Sequence, residues 1–284
     1  MPRSVNRMSG CNGGFVHFIV ALPAEAKPLV SHYRLKRRPG DDAFAIFEKE
    51  GISLTVSGIG KAATANAIGY TQVLYGKRRN SVWLNIGVAG HHAAPLGSAW
   101  IGHKITDAET GRRWYPGICF RTHCPSAEIR TVAQPETEYA LDCLYDMEAS
   151  AFAESACRFS TGELVHCIKV ISDNRESVIW DIDPSRVSAY VEGAIGIILH
   201  TKQALRHLAA ELTPLPEVDT APWTARWHFT AQQRLQLEKL LRRWRVSSGD
   251  RVLPDPPNLE RSRQVLAWLD GLIAALPVHL PPAP

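Results

Sequence analysis

The feature that most limits what this chain can fold into is a set of short, nearly continuous apolar runs. They are FVHFIVAL (15–22), SVWLNIGVAG (81–90) and ELVHCIKVISD (163–173), and the last two end in glycine or acid. Each reads as a strand buried on both faces. Helical patterns lie between them. AEAKPLVSHY (24–33) follows the first run, and GKAATANAIGYTQVLYG (60–76) has helical small-residue spacing stopped at Gly76. SRVSAYVEGAIGIILHTKQALRHLAAEL (185–212) reads as one long helix with Gly193 or Gly196 as a break point. FAIFEKEGISLTVSG (44–58) is a hairpin turning near Glu50-Gly51, and IRTVA and YALDCLYDM are further strands. Strands alternating with helices predict an α/β domain whose largely parallel sheet is covered on both sides. In such sheets, chemistry gathers at the carboxyl ends of the strands.

Composition narrows the class. Hydrophobic residues make up 45% of the 284, enough for a core, and charged residues 21%, too few for a disordered chain. The net charge of +4, from 32 basic and 28 acidic side chains, does not call for a polyanionic partner. None of the six cysteines sits at a metal-ligand spacing, so they read as reduced, mostly buried thiols. Arg3 and Arg7 before FVHFIVALPA imitate a signal peptide, but His17 interrupts the run. No apolar stretch approaches the ~18 residues of a membrane span. The expectation is a soluble, cytoplasmic protein.

The catalytic domain is expected over 15–212. LTPLPEVDTAPW then opens a Pro-rich linker, 213–229. Thr230-Ala-Gln-Gln233 is a capping box opening AQQRLQLEKLLRRW, and Asn258 is placed to cap LERSRQVLAWLDGLIAAL. A helical hairpin over 230–276 is therefore expected as a C-terminal appendage.

Three carboxylates fall at strand ends. Glu25 follows the first strand, Glu148 lies in LYDMEASAFAESA where a strand meets a helix, and Asp173 ends the most hydrophobic strand. Converging acids are what general acid–base chemistry needs. The plainer alternative is that acids at helix starts serve the helix dipole. Spacing alone does not decide between them.

Five segments together decide more. IVALPAEAKPL (19–29), VSGIGKAATANAIG (56–69), LNIGVAGHHAAPLGSAWIG (84–102), YDMEASAFA (145–153) and KVISD (169–173) resemble the nucleoside phosphorylase superfamily over residues 15–205. The similarity is greatest to its hydrolytic branch, the 5′-methylthioadenosine/S-adenosylhomocysteine nucleosidases. The resemblance implies a three-layer αβα phosphorylase/hydrolase-like fold. It implies cleavage of a 5′-modified adenosine to adenine and the free sugar, with no metal or cofactor, in a homodimer. Glu25 matches the glutamate that activates water, and Asp173 the acid that protonates purine N7. Glu148 matches the glutamate that binds ribose hydroxyls, and Met147 the methionine packed against the sugar. Val88, Gly90 and Ser172 fall on the substrate side of the matched segments. Trp180 falls where relatives build the 5′-substituent pocket, and reads equally well as core. Asp146 matches an acidic position without a firm role.

The chain also departs from the pattern. Val88 replaces a polar residue, Lys169 stands where arginine is usual, and His91-His92 replace glycine and leucine. Tyr115, Phe120 and Tyr139 are unranked candidates for stacking on the base. Two other functions stay open. Phosphorolysis is disfavoured because Pro23-Ala24-Glu25-Ala26 puts a carboxylate where phosphate would enter. Nucleic-acid binding would use Arg226, Arg234, Arg242, Arg243, Arg245 and Arg251 interleaved with Trp223, Trp227 and Trp244, which read more readily as a solvated face over core aromatics.

Overall fold

The computed structural model describes residues 15–40, 43–76, 80–177, 183–212, 218–248 and 251–276. The chain divides into two compact units, Met1–Leu212 and Thr213–Pro284. Among the described residues no helix is long and apolar enough to cross a membrane.

In the first unit the chain runs β1 (Val16–Val20), α1 (Pro23–Tyr33), β2 (Lys36–Arg37), β3 (Ala45–Lys49), β4 (Ile52–Val56) and α2 (Lys61–Tyr75). It continues through β5 (Val82–Gly90), β6 (Ala99–Asp107), β7 (Arg113–Trp114), β8 (Ser126–Thr131), β9 (Leu144–Asp146) and α3 (Ala149–Ala156). It closes with β10 (Val165–Asp173), α4 (Pro184–Gly193) and α5 (Ile195–Glu211). The three apolar runs are neighbours: β5 lies between β1 and β10, and both pairings are parallel. β4 pairs parallel with the other side of β1, and β3 returns antiparallel through the Glu50-Gly51 turn. Both turn residues have positive φ, 44° and 81°, matching a two-residue hairpin.

The sheet is not a simple open one. β10 also pairs with β6, β6 with β8, β8 with β9, and β9 returns to β5 at Gly90. Five strands thus close a ring, and among the described residues β5 alone also pairs with the open half, through β1. Two apolar clusters use alternate residues of the same strands. Phe18, Leu84 and Ile168 pack with Leu29 of α1, Val191 of α4 and Ile198 of α5. Ile19, Trp83 and Cys167 pack with Ile68 of α2 and Phe152 of α3. The period of two sends neighbouring side chains into different clusters, which is why the runs are apolar at most positions.

Some sequence expectations need correction. YALDCLYDM is strand only over Leu144–Asp146; the residues before it form an irregular segment with Tyr139 at φ 47°. Strand β6 was not foreseen, because Gly102, His103 and Lys104 interrupt its apolar pattern. The break expected in the helix over 185–212 is present at the first of its two candidate glycines: α4 ends at Gly193 and meets α5 at Ala194. Of the five described cysteines, all free, only Cys143 and Cys167 are buried.

In the second unit, α6 (Ala221–Arg226) lies inside the stretch expected as linker. Asp219 Oδ1 accepts from Ala221 N–H at its start, and Trp227 and Phe229 beyond it are buried. Helix α7 (Ala231–Ser247) begins with the Thr230–Gln233 capping box, closed by bonds of 2.9 and 3.3 Å. Helix α8 (Ser262–Ala274) starts after Arg261, with Gln264 reaching back to its N–H, so Asn258 is not its cap. Leu237, Leu241 and Trp244 of α7 pack with Val265, Leu266 and Leu269 of α8. Trp227 donates to Leu259 O at 2.8 Å, and Arg242 and Arg243 pair with Glu238 and Asp270. Trp227 and Trp244 therefore belong to this unit's interior, and Arg242 and Arg243 to its ion pairs.

Two buried histidines set an acid limit on the first unit. His17 bonds Ser53 Oγ at 2.7 Å, and burial pushes its pKa to about 3; burial pushes His166 to about 4. Both lie below the ordinary 6.5, so the unfolded chain takes up the protons first. Their stabilisation is complete above pH 6.5 and is lost as pH falls, by up to about 1.4 kcal/mol per pH unit for each. Urea unfolding between pH 7 and pH 5 is expected to show this fall, with a shallower slope in His17→Gln. An unchanged slope in that variant would exclude His17 as a source.

Candidate active site

The residues that converge lie where β1, β5 and β10 end and where β9 turns into α3. Glu25 occupies the third position of α1 and folds back over the helix start. Its Oε2 accepts from Ala21 N–H at 2.8 Å and Leu22 N–H at 2.9 Å, and its Oε1 accepts from Val88 N–H at 3.0 Å. Part of this is the helix-start role open to any such acid. The bond to Val88 is different, since it ties the carboxylate to the end of β5. Glu25 is 2% exposed. Burial raises its pKa, against the pull of Lys169 and the three N–H groups.

Gly87 is paired with Lys169 across β5 and β10. A Cβ at Gly87 would stand 2.9 Å from Glu25 Oε1 and 3.3 Å from Lys169 Nζ, so the missing side chain is the space into which both groups point. Lys169 is 1% exposed in the middle of an apolar strand. Its Nζ lies 2.8 Å from Asp146 Oδ2. Burial alone would lower the ammonium's pKa; Asp146 and Glu148 outweigh it and hold the group above the usual lysine range. Asp146, without a role in the sequence, is this lysine's partner. It also accepts from Thr131 Oγ1 at 2.8 Å and from Ala149 N–H, at the start of α3, at 2.8 Å.

Glu148 follows two residues later. Its Oε1 accepts from Gly60 N–H, at the start of α2, at 2.7 Å. Burial lifts its pKa to about 7, with Asp146 adding to the rise and Lys169 opposing it. Met147, between the two acids, is half-buried, as is Val88. A second polar chain braces this corner. Lys61 Nζ reaches Asp107 Oδ2 at 3.0 Å, Ser150 Oγ donates to the same oxygen at 2.9 Å, and Ser150 N–H donates to Thr131 Oγ1 at 2.9 Å. The starts of α2 and α3 are thus clamped to the end of β6. Sequence reading missed Asp107 and Lys61, which match no catalytic pattern.

Asp173 closes β10 beside a register shift, where it pairs with Gly90. Ser172 Oγ donates to its Oδ1 and Tyr139 Oη to its Oδ2. A Cβ at Gly90 would overlap Asp173 Oδ2 and the Tyr139 ring. Of the three aromatic candidates, Tyr139 is therefore at the candidate acid. Tyr115 is 66% exposed, and Phe120 packs edge-on to His166. Lys27, the cation nearest Glu25 in sequence, is exposed. Trp180 lies outside the described residues.

His91, His92 and Asp142 bring potential metal-binding atoms within 4.8 Å of one another. However, His91 Nδ1 accepts from Ala93 N–H at 3.1 Å and Ala94 N–H at 2.9 Å. That network assigns the ring proton to Nε2, which faces Asp142 Oδ1 at 3.1 Å. In this tautomer His91 donates to Asp142 and offers no lone pair to a metal ion.

The Lys169–Asp146 pair makes the site sensitive to single replacements. Lys169→Met leaves Asp146 buried without its cation and is expected to cost about 3–5 kcal/mol. The double variant Lys169→Met/Asp146→Asn is expected to cost less than the two single variants summed. Urea midpoints of the four proteins check this, and strict additivity would show that the two groups are not coupled.

No protein-family model matches the chain, and no curated protein matches it by sequence. Solved structures do. The 5′-methylthioadenosine nucleosidase of Arabidopsis thaliana aligns with a TM-score of 0.57 at 14% identity, over 68% of this chain and 96% of that one. The 5′-methylthioadenosine/S-adenosylhomocysteine nucleosidase of Helicobacter pylori aligns at 0.54 and 10%, over 68% and 99%. The futalosine hydrolase of the same organism aligns at 0.53 and 11%, over 68% and 98%. The likeness is one of fold: about two thirds of this chain is built as these nucleosidases and this hydrolase are.

Proposed function

We propose that the first unit hydrolyses the N-glycosidic bond of a 5′-modified purine nucleoside, an adenosine derivative by the resemblance, releasing the base and the free sugar. The observation that carries this reading is the setting of Glu25. A buried carboxylate of raised pKa, held by three N–H groups beside the open face of Gly87, suits taking a proton from water. It does not suit receiving a phosphate dianion, and exposed Lys27 does not offset it.

In the proposed reaction water adds to C1′ as the bond from C1′ to the base nitrogen breaks. Glu25 takes a proton from the water. The bonding electron pair leaves with the base, and Asp173 delivers a proton to N7, so the base departs neutral. Positive charge building on the sugar meets the carboxylates of Glu25 and Glu148. Glu148 uses one oxygen on Gly60 and has the other for ribose hydroxyls, while Met147 supplies an apolar surface under the sugar. Val88, Gly90 and Ser172 border the place of the base. The futalosine hydrolase among the structural neighbours is a reason to test futalosine as a substrate as well. A homodimer is what the resemblance adds, and light scattering giving a single chain mass would remove it.

Asp173→Asn and Glu25→Gln are each expected to lower the chemical rate by about 10²–10⁴-fold with the fold retained. The assay is base release from methylthioadenosine, adenosylhomocysteine, 5′-deoxyadenosine, inosine and a larger 5′-substituted adenosine, with and without phosphate. Strict phosphate dependence, with a sugar 1-phosphate as product, would replace hydrolysis by phosphorolysis. Normal turnover by Asp173→Asn would remove the acid assignment.

A further inference from the structure

Residues 133–143 join β8 to β9 without regular pairing, and most of them are exposed. Two side chains turn inward. Tyr139 is 1% exposed and Cys143 3%, and both pack against Tyr145. Tyr139 adopts φ 47°, a conformation that a bulky side chain rarely takes unless its surroundings force it. What it gains is the contact of its hydroxyl with Asp173 Oδ2 and of its ring with the face of Gly90.

The segment is tied down by side chains from outside it. Arg175 donates to Tyr139 O at 2.9 Å and Glu138 O at 3.2 Å. Tyr145 Oη accepts from Leu141 N–H at 2.9 Å, and His91 bonds Asp142 at 3.1 Å. All are polar contacts at or near the surface, and among the described residues the segment's hydrophobic anchors are Tyr139 and Cys143. Such a segment opens locally at far lower cost than the strands beneath it.

We propose that Tyr139 is a gate residue: it occupies the Asp173 oxygen and the Gly90 face that a leaving base needs, and residues 133–143 swing out to admit the nucleoside. This rests on the reading of Asp173 as the acid. The closed segment also covers Cys143, so opening and thiol exposure are one event.

The test uses the full chain and Tyr139→Phe, which keeps the ring and removes the hydroxyl. Modification of Cys143 by a thiol reagent is followed by peptide mapping, separately from the exposed Cys119 and Cys157. A hydrogen bond to a carboxylate is worth about tenfold or more in an equilibrium, so Cys143 is expected to react about tenfold faster in the variant. With nucleoside substrate, kcat/KM for base release is expected to rise. Unchanged Cys143 reactivity overturns the gate, and so does a fall in kcat/KM, which would make Tyr139 a substrate contact. Faster labelling without base release from any nucleoside, in either protein, would leave the opening of residues 133–143 standing and remove the hydrolase reading, and with it the role of that opening in admitting a nucleoside.

Discussion

The contact between Lys169 and Asp146 is the constraint on which the rest of the site depends. An ammonium and a carboxylate face each other at 2.8 Å with almost no access to water. Removing two charges from water costs several kcal/mol each, and their attraction repays this only when the remaining polar atoms are also satisfied. That requirement organises the neighbourhood. Asp146 has its other contacts filled by Thr131 and by the first amides of α3. Lys169 is held where β10 runs beside β5, across from Gly87. The pair thus joins the strand that ends in Asp173 to the turn that presents Glu148. Its lysine also supplies the positive charge that partly offsets the burial of Glu25 and Glu148.

Much of the fold was legible because doubly buried strands leave a strong mark in sequence. β1, β5 and β10 read as apolar runs, and the β3–β4 turn announced itself through Gly51. β6 did not, because it enters the ring where polar positions face outward: His103 is exposed and Lys104 pairs with Glu128. The ring itself left no mark, since closure depends on long-range pairing such as Gly90 with Tyr145. In the second unit the Thr230 capping box was readable as a local pattern. The burial of Trp227 and Phe229 was not, because proline-rich spacing suggests linker wherever the packing partner is distant in sequence.

The site was legible in outline. Glu25, Glu148 and Asp173 stand out as acids at element ends, and their neighbours in sequence carry the resemblance. Asp146 and Lys169 were both noticed, one as an acid without work and the other as a departure. Their pairing needed the register of β10 against β5 and the turn of β9 into α3. A lysine inside an otherwise apolar strand is nonetheless a readable signal, because it demands a buried carboxylate, and Asp146 was the one left over. Tyr139 could not be ranked from sequence, because its position comes from an irregular segment with a left-handed residue.

Gly90 is paired with Asp173 on one side and Tyr145 on the other. One peptide unit is therefore the shared footing of the segment that ends in the proposed acid and the segment that leads to the proposed sugar floor. A displacement of that unit moves both together. In lineages carrying this fold, drift at the base end and drift at the sugar end would then not be independent: a change that re-aims one has to be tolerated by the other.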